Sequence, residues 1–256
     1  MKVVTDARDL PSACAFVPTM GALHAGHASL FILAKSYSNH VVASIFVNPL
    51  QFENKEDLAS YPRTPEIDIE IAAASGITHL WLPKQSEIYP HGYRKLVAGS
   101  IGDIYEGKSR VGHFDGVLTV VNRLFELIEP KVAIFGEKDF QQLQLIKTIA
   151  GDIEIITAPT VREEDGLAMS SRNSRLSPEG RIAAQVIYRG LSQSKTEVEL
   201  REILATEPAF TLDYADYIDE KTFAHAQSDT RDIRAIVAGW INGVRLIDNM
   251  PMGIRA

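Results

Sequence analysis

The sequence predicts an α/β protein: a Rossmann-like, doubly wound parallel sheet followed by a smaller α+β C-terminal domain. Three observations carry that expectation. Strand-like and helix-like runs alternate over the first two-thirds of the 256 residues, the pattern left by βαβ units. Residues 41–47 form a β-branched, almost unbroken apolar run, as in a strand covered on both faces. Near the end, Asn242-Gly243 lies between two apolar runs, the strongest short hairpin signal and one foreign to a parallel sheet.

In chain order, residues 13–17 read as a first strand, ended by Pro18. Residues 41–47, 78–83, 131–135 and 153–161 read as the strands that follow. Between them, residues 28–37, 65–75, 116–128 and 139–150 have helical patterns. The last third changes character. Residues 178–191 and 197–204 look helical, the first with Ser177 as N-cap before Pro178. Residues 214–218 then lead to the hairpin of 235–241 and 244–247. The expected division is a nucleotide- and substrate-binding domain over 1–161 and a lid domain over 162–256. Ligands of doubly wound sheets bind beyond the carboxyl ends of the strands, so those junctions are where chemistry is expected.

Composition excludes several functions. With 45% hydrophobic and 23% charged residues the chain is of ordinary globular type, neither disordered nor fibrous. At this length folding buries roughly 70–75% of the unfolded surface, enough for a core without covalent staples. A single cysteine, Cys14, rules out an internal disulfide and a paired-cysteine zinc site. The net charge of −7, spread over both halves, argues against nucleic acid as a partner. No run approaches the ~20 apolar residues of a membrane span. The start has no apolar core of a secretory signal, so a cytoplasmic location is expected.

Four segments carry chemistry. The first, Pro18-Thr19-Met20-Gly21-Ala22-Leu23-His24-Ala25-Gly26-His27, joins a strand to a helix. Gly21 and Gly26 permit tight turns and close approach of a ligand to the backbone. His24 and His27 share one helical face, and a helix N-terminus attracts phosphate through its exposed N–H groups. Imidazoles placed there can donate to phosphoryl oxygens as charge builds in a transition state. A lone histidine at such a turn would read as a helix cap; the H-x-G-H pair after a strand favours the catalytic reading.

In the second segment, Ser44-Ile45-Phe46-Val47-Asn48-Pro49-Leu50-Gln51-Phe52, a strand ends in two amides. Asn48 and Gln51 offer donors and acceptors together, suited to hydroxyls and a carboxylate, though an Asn-Pro turn with a solvated glutamine reads equally well. The third, Phe135-Gly136-Glu137-Lys138-Asp139-Phe140-Gln141-Gln142, lies at another strand-to-helix junction. Gly136 allows close backbone approach and Lys138 supplies a point charge for phosphate, while Gln142 follows Asp139 by one turn. A solvated cap with a Glu–Lys pair is the alternative. The fourth runs from Val161 through Asp165, Gly166, Met169, Ser170, Ser171 and Arg172 to Asn173, at the expected domain junction. Two hydroxyls and a guanidinium fork suit phosphate oxygens, and a loop there can close over a ligand; composition alone reads as a polar linker. A weaker basic segment, Glu106 to Phe114, has Arg110 as a further phosphate candidate.

H-x-G-H after the first strand resembles the nucleotidyltransferase superfamily. The wider P-T-M-G-A-L-H-x-G-H, S-I-F-V-N-P-x-Q-F, G-E-K-D-x-Q-Q and R-x-x-D-G-L-A-x-S-S-R-N strings resemble one family within it, the pantoate–β-alanine ligases. The resemblance covers residues 16 to about 176 and returns at Arg245-Leu246-Ile247-Asp248-Asn249. It implies a two-step ligase in which the carboxylate of pantoate attacks the α-phosphorus of ATP, and β-alanine then takes the acyl group from the adenylate. It places His24, His27, Lys138, Ser170, Ser171 and Arg172 at the phosphates. Met20, Gly21, Gly136, Asp139, Val161 and Met169 join the ATP site. Gln51 and Gln142 hold pantoate with Asn48 nearby. It further implies Mg²⁺, a mobile loop at Ser170–Arg172, a lid that shields the adenylate, and a homodimer. Asp68 and Asp139 are carboxylates within reach of such an ion, but no metal ligand is assigned. An adenylyl transferase acting on a phosphorylated acceptor, and a non-enzymatic nucleotide-binding regulator, are the rival readings.

Overall fold

A computed structural model describes residues 1–52 and 55–253; the last three residues of the expected second domain lie outside the described residues. The chain forms two compact units, one of Met1–Glu137 with Gln141–Pro159 and one of Lys138–Phe140 with Thr160 onward.

The first unit holds six strands: β1 (Lys2–Val4), β2 (Ala15–Thr19), β3 (Val41–Ile45), β4 (His79–Trp81), β5 (Val132–Gly136) and β6 (Glu154–Ala158). They form one sheet in the order β1-β4-β3-β2-β5-β6, with every pairing parallel. The apolar run expected to be covered on both faces is so covered, since Val41, Val42, Ala43 and Ser44 are all buried. Helices Ala25–Ala34, Pro65–Ala74, His113–Ile128 and Phe140–Lys147 connect the strands. Phe31, Ala34, Leu80 and Ile134 lie in the core beneath them.

Two strands depart from the sequence expectation. The strand β1 has no sequence signal; it is too short to show a period and exists by pairing with β4. Pro18 does not end β2, which continues to Thr19 against β3. Pairing of β2 with β5 is confined to Ala15–Val132 and Phe16–Ala133. A proline can donate no ladder hydrogen bond, so it is tolerated where β5 has already parted from β2. The chain order also reverses between β2 and β5, and that switch point, with strands separating at their carboxyl ends, is where such sheets open a ligand crevice.

The second unit packs helices Pro178–Gln193 and Glu197–Ala205 on an antiparallel sheet of β7 (Phe210–Asp219), β8 (Ile233–Ile241) and β9 (Val244–Met252). Its core includes Ile187, Leu191, Leu200, Tyr217 and Val237. Ser177 caps its helix by accepting the Gly180 N–H at 3.0 Å. Asn242 (φ 50°) and Gly243 (φ 78°) turn the hairpin in the left-handed conformation that this residue pair favours. Among the described residues no helix is long and apolar enough to cross a membrane.

Candidate active site

The turn after β2 is held from its first residue. Thr19 Oγ1 donates to the Ser44 carbonyl at 2.7 Å and accepts the Gly21 N–H at 3.3 Å. Gly21 (φ 81°) and Ala22 (φ 49°) both take the left-handed conformation. A Cβ on Gly21 would meet Asp68 Oδ2 at 2.9 Å, so the position admits only glycine comfortably. Asp68, from the first turn of Pro65–Ala74, is 2% exposed and accepts the N–H groups of Ala22 at 3.1 Å and Leu23 at 2.8 Å, with the Thr64 hydroxyl at 3.0 Å. Both of its oxygens are thus engaged in shaping the turn, which makes it a poor metal ligand. Asp139 is half exposed and lies 3.8 Å from Lys138 Nζ.

The two histidines cap the Ala25–Ala34 helix reciprocally. His24 Nδ1 accepts the Gly26 N–H at 3.1 Å, and His27 Nδ1 accepts the His24 N–H at 3.3 Å. The rings lie 4.1 Å apart. The geometry of a Ser–Glu capping box is reproduced with imidazoles. An Nδ1 that accepts carries no proton, so each neutral ring bears its hydrogen on Nε2. The reciprocal capping thus fixes both imidazoles beside a helix N-terminus at the β2–β5 switch point. The helix begins at Ala25 rather than at residue 28 because this capping by histidine is not among the usual sequence signals.

The amides after β3 are disposed unequally. Asn48 is 1% exposed. Its Nδ2 donates to the Gly116 carbonyl at 3.0 Å and to Gln51 Oε1 at 3.1 Å; its Oδ1 accepts the Leu50 N–H at 3.1 Å and the Tyr89 hydroxyl at 2.5 Å. Two donors and two acceptors saturate an amide, so the fold uses all four bonding positions of Asn48, one of them on Gln51. Gln51 has its carbonyl engaged and its Nε2 against Met20 Sδ, which leaves the amide N–H end to define the site. Burial pushes the Tyr89 hydroxyl above the ordinary phenol range and keeps it a neutral donor. A Cβ on Gly116 would lie 2.3 Å from the Leu50 carbonyl oxygen, so the His113–Ile128 helix seats against this turn backbone to backbone.

In the weaker basic segment Lys108, Val111 and Gly112 are exposed, while Arg110 and the buried His113 brace the Gln51 backbone. His113 Nδ1 donates to the Gln51 carbonyl at 2.8 Å, Arg110 Nη1 donates to His113 Nε2 at 2.9 Å, and Arg110 lies 3.9 Å from Glu106. Gln141, one residue before the expected Gln142, is the buried amide of its helix. It donates to the Ile101 and Ile104 carbonyls and accepts the Glu106 N–H. Gln142 is half buried beside it, and Gly136 ends β5. Tyr89, Gln141 and the turn-forming role of Asp68 had no local sequence signal, because their partners lie 35 to 46 residues away.

In the second unit, the Lys138 carbonyl accepts from Asn249 Nδ2 at 2.8 Å. Residues 161–173 form a folded loop with its own hydrogen bonds. Met169 N–H bonds the Val161 carbonyl at 3.0 Å and Glu163 N–H bonds the Leu167 carbonyl at 2.9 Å. Ser170 Oγ caps the Ser171–Arg175 turn by accepting the Arg172 N–H at 3.2 Å, and Asn173 Nδ2 donates to Glu163 Oε1. Arg181 bonds Glu163 and holds its carboxyl below the usual range. Ser170, Ser171 and Arg172 are half buried. Arg162 meets the buried Asp248; burial pushes that carboxyl up while the guanidinium pulls it back. Glu197, Asp216 and His225 bring ligand atoms within 4.8 Å of one another, but Arg201 pairs with both carboxylates and already supplies the positive charge.

A family model described as pantoate-beta-alanine ligase matches residues 1–251. A relative named pantothenate synthetase from Acidothermus cellulolyticus is 44% identical over 262 residues, covering 95% of this chain and 86% of its own. The crystal structure of pantothenate synthetase from Thermus thermophilus superposes with a TM-score of 0.94 at 40% identity, over 99% of this chain and all of that one. The pantoate-beta-alanine ligase of Francisella tularensis, complexed with beta-gamma ATP and beta-alanine, gives 0.84 at 37% identity over 98% of each chain.

Proposed function

Since the chain belongs to the pantoate–β-alanine ligase family, we propose that the turn after β2 and the amides after β3 are where it activates pantoate with ATP for condensation with β-alanine. The pantoate carboxylate attacks the α-phosphorus, the bond to the β-phosphate oxygen breaks, and pyrophosphate leaves. The amine of β-alanine then attacks the acyl carbon, AMP leaves, and the amine gives up its proton as the amide forms. A carboxylate needs no general base to attack, so catalysis rests on positioning and on stabilising charge.

The observation that carries this reading is the pair of imidazoles fixed at a helix N-terminus by reciprocal capping. His27 and His24 are assigned to phosphoryl oxygens, and Lys138, Ser170, Ser171 and Arg172 to the triphosphate and the leaving pyrophosphate. Met20, Gly21, Gly136, Asp139, Val161 and Met169 complete the ATP site. Gln51 and Gln142 hold pantoate, with Asn48 orienting Gln51. Asp139 is the carboxylate that would hold Mg²⁺ here, and the ion would supply positive charge to neutralise the phosphates. The same family reading proposes a homodimer in the cytoplasm. An adenylyl transfer to a phosphorylated acceptor is not favoured, since the family match extends over the amide-bearing segments.

The test is pyrophosphate release from ATP and pantoate without β-alanine. His27→Ala is expected to slow it by roughly 10²–10³, the loss of one transition-state donor. A rate near that of the parent enzyme would remove the assignment.

A further inference from the structure

Asp248 and Asn249 stand side by side on β9, in a stretch to which the functional reading gives no role. Successive residues of a strand point to opposite faces of the sheet. Leu246, Met250 and Met252 pack into the helix-covered core, so Asp248 shares their face and Asn249 lies on the other.

On the first face, Asp248 accepts two N–H groups of the Arg162 guanidinium, at 2.6 and 3.0 Å. Arg162 also donates to the Gly166 carbonyl at 3.1 Å and lies over the Tyr188 ring, 5.0 Å from its centroid. Arg162 is the root of the loop that carries Ser170, Ser171 and Arg172. On the second face, Asn249 Nδ2 donates to the Lys138 carbonyl at 2.8 Å, while Oδ1 accepts from Arg234 at 2.5 Å. Arg234 is buried, bonded to Glu220 at 2.8 Å and stacked on Phe140, whose ring lies against Phe223. One side chain there must donate to a carbonyl and accept from a guanidinium at once. An amide does both; a carboxylate offers no donor and an aliphatic chain neither.

We propose that Asp248 and Asn249 form a two-sided clamp that sets the Lys138 turn and the Ser170–Arg172 loop for the triphosphate, with Asn249 the positioning residue for Lys138. This rests on the assignment of Lys138 to the phosphates. Asn249 touches only backbone at Lys138, so its removal shifts the ammonium without deleting it. Asn249→Asp is the more damaging change for ATP use, because it sets a carboxylate against the Lys138 carbonyl while keeping the bond to Arg234.

The experiment is a double-mutant cycle on kcat/KM for ATP, with activity normalised to folded protein. Asn249→Ala is expected to lower kcat/KM for ATP by about 10-fold to 10²-fold, the scale of a small misplacement, while KM for pantoate stays unchanged. Lys138→Ala with Asn249→Ala is expected to be no worse than Lys138→Ala alone, because Asn249 acts through Lys138. Losses that multiply, or an Asn249→Ala enzyme with unaltered ATP use, overturn the clamp while leaving the role of Lys138 intact. Unaltered ATP use in Lys138→Ala overturns that role, and the clamp with it.

Discussion

Replacing Asp68 by asparagine changes one oxygen to a nitrogen where three donors converge. Asp68 receives Ala22 N–H, Leu23 N–H and the Thr64 hydroxyl, all within 3.1 Å, at a site 2% exposed. Asparagine keeps one carbonyl oxygen for Leu23 and Thr64. Its NH2 group then confronts the Ala22 N–H, donor against donor. Hydrogen bonds to a charged acceptor contribute about 1.5–3 kcal/mol each, so losing one and burying an unmatched donor costs about 2–4 kcal/mol. For a chain of this size that lowers Tm by roughly 4–15 °C. The turn that Asp68 shapes leads directly into His24, so adenylate formation is expected to fall by about 10², as for a catalytic group displaced by an ångström. Thermal unfolding and pyrophosphate release without β-alanine measure the two effects. Parent-like rates with an unchanged Tm would refute the argument. Recovery of the rate on raising Mg²⁺ would also refute it, by showing that the carboxylate serves a metal ion.

Tyr89→Phe removes the 2.5 Å hydrogen bond that fixes the Asn48 amide, and through it Gln51. KM for pantoate is expected to rise by about tenfold, the worth of ~1.4 kcal/mol, with KM for ATP unchanged; equal shifts in both would contradict the Asn48 relay. Gln51→Ala is expected to raise the pantoate requirement more than the ATP requirement, and an unchanged pantoate dependence counts against that assignment. Burial pushes the Cys14 thiol from 9.0 up to about 11. The unfolded chain releases that proton first, so the stability it contributes is complete below pH 9 and is lost as pH rises toward 11. Urea unfolding at pH 8 and pH 10 should show a smaller alkaline loss in Cys14→Ala than in the parent.

Much of this molecule is legible from local pattern. The unbroken apolar run of β3, the alternation of strand and helix, and the Asn242-Gly243 hairpin all write their structure into a few consecutive residues. What is not legible depends on partners distant in the chain. The edge strand β1 exists through β4, far along the chain, and three residues carry no readable period. Pro18 sits inside β2 because β5 has already diverged, a fact of topology rather than of composition. At the site, residue types are readable but their employment is not. Asn48 has the chemistry of a ligand-binding amide, yet four internal hydrogen bonds use it completely. Arg110 has the chemistry of a phosphate ligand but braces Gln51 through His113. Asp68 has the chemistry of a metal ligand but shapes a turn. In each case the decisive quantity is which of a side chain's donors and acceptors remain uncommitted after folding.

The net charge of −7 shows the same limit. It argues against nucleic acid, but says nothing about an anionic small substrate. The proposed partners of ATP and pantoate are individual groups: two imidazoles, a helix N-terminus, Lys138 and Arg172.

This chain is expected to make an acyl adenylate before it makes an amide. Mixing the enzyme with ATP, pantoate and Mg²⁺, first without and then with β-alanine, tests it most directly. Pyrophosphate is expected in amounts comparable to enzyme before β-alanine is added, and AMP only after it. AMP and pyrophosphate appearing together only once β-alanine is present, or no pyrophosphate at all in its absence, would contradict it.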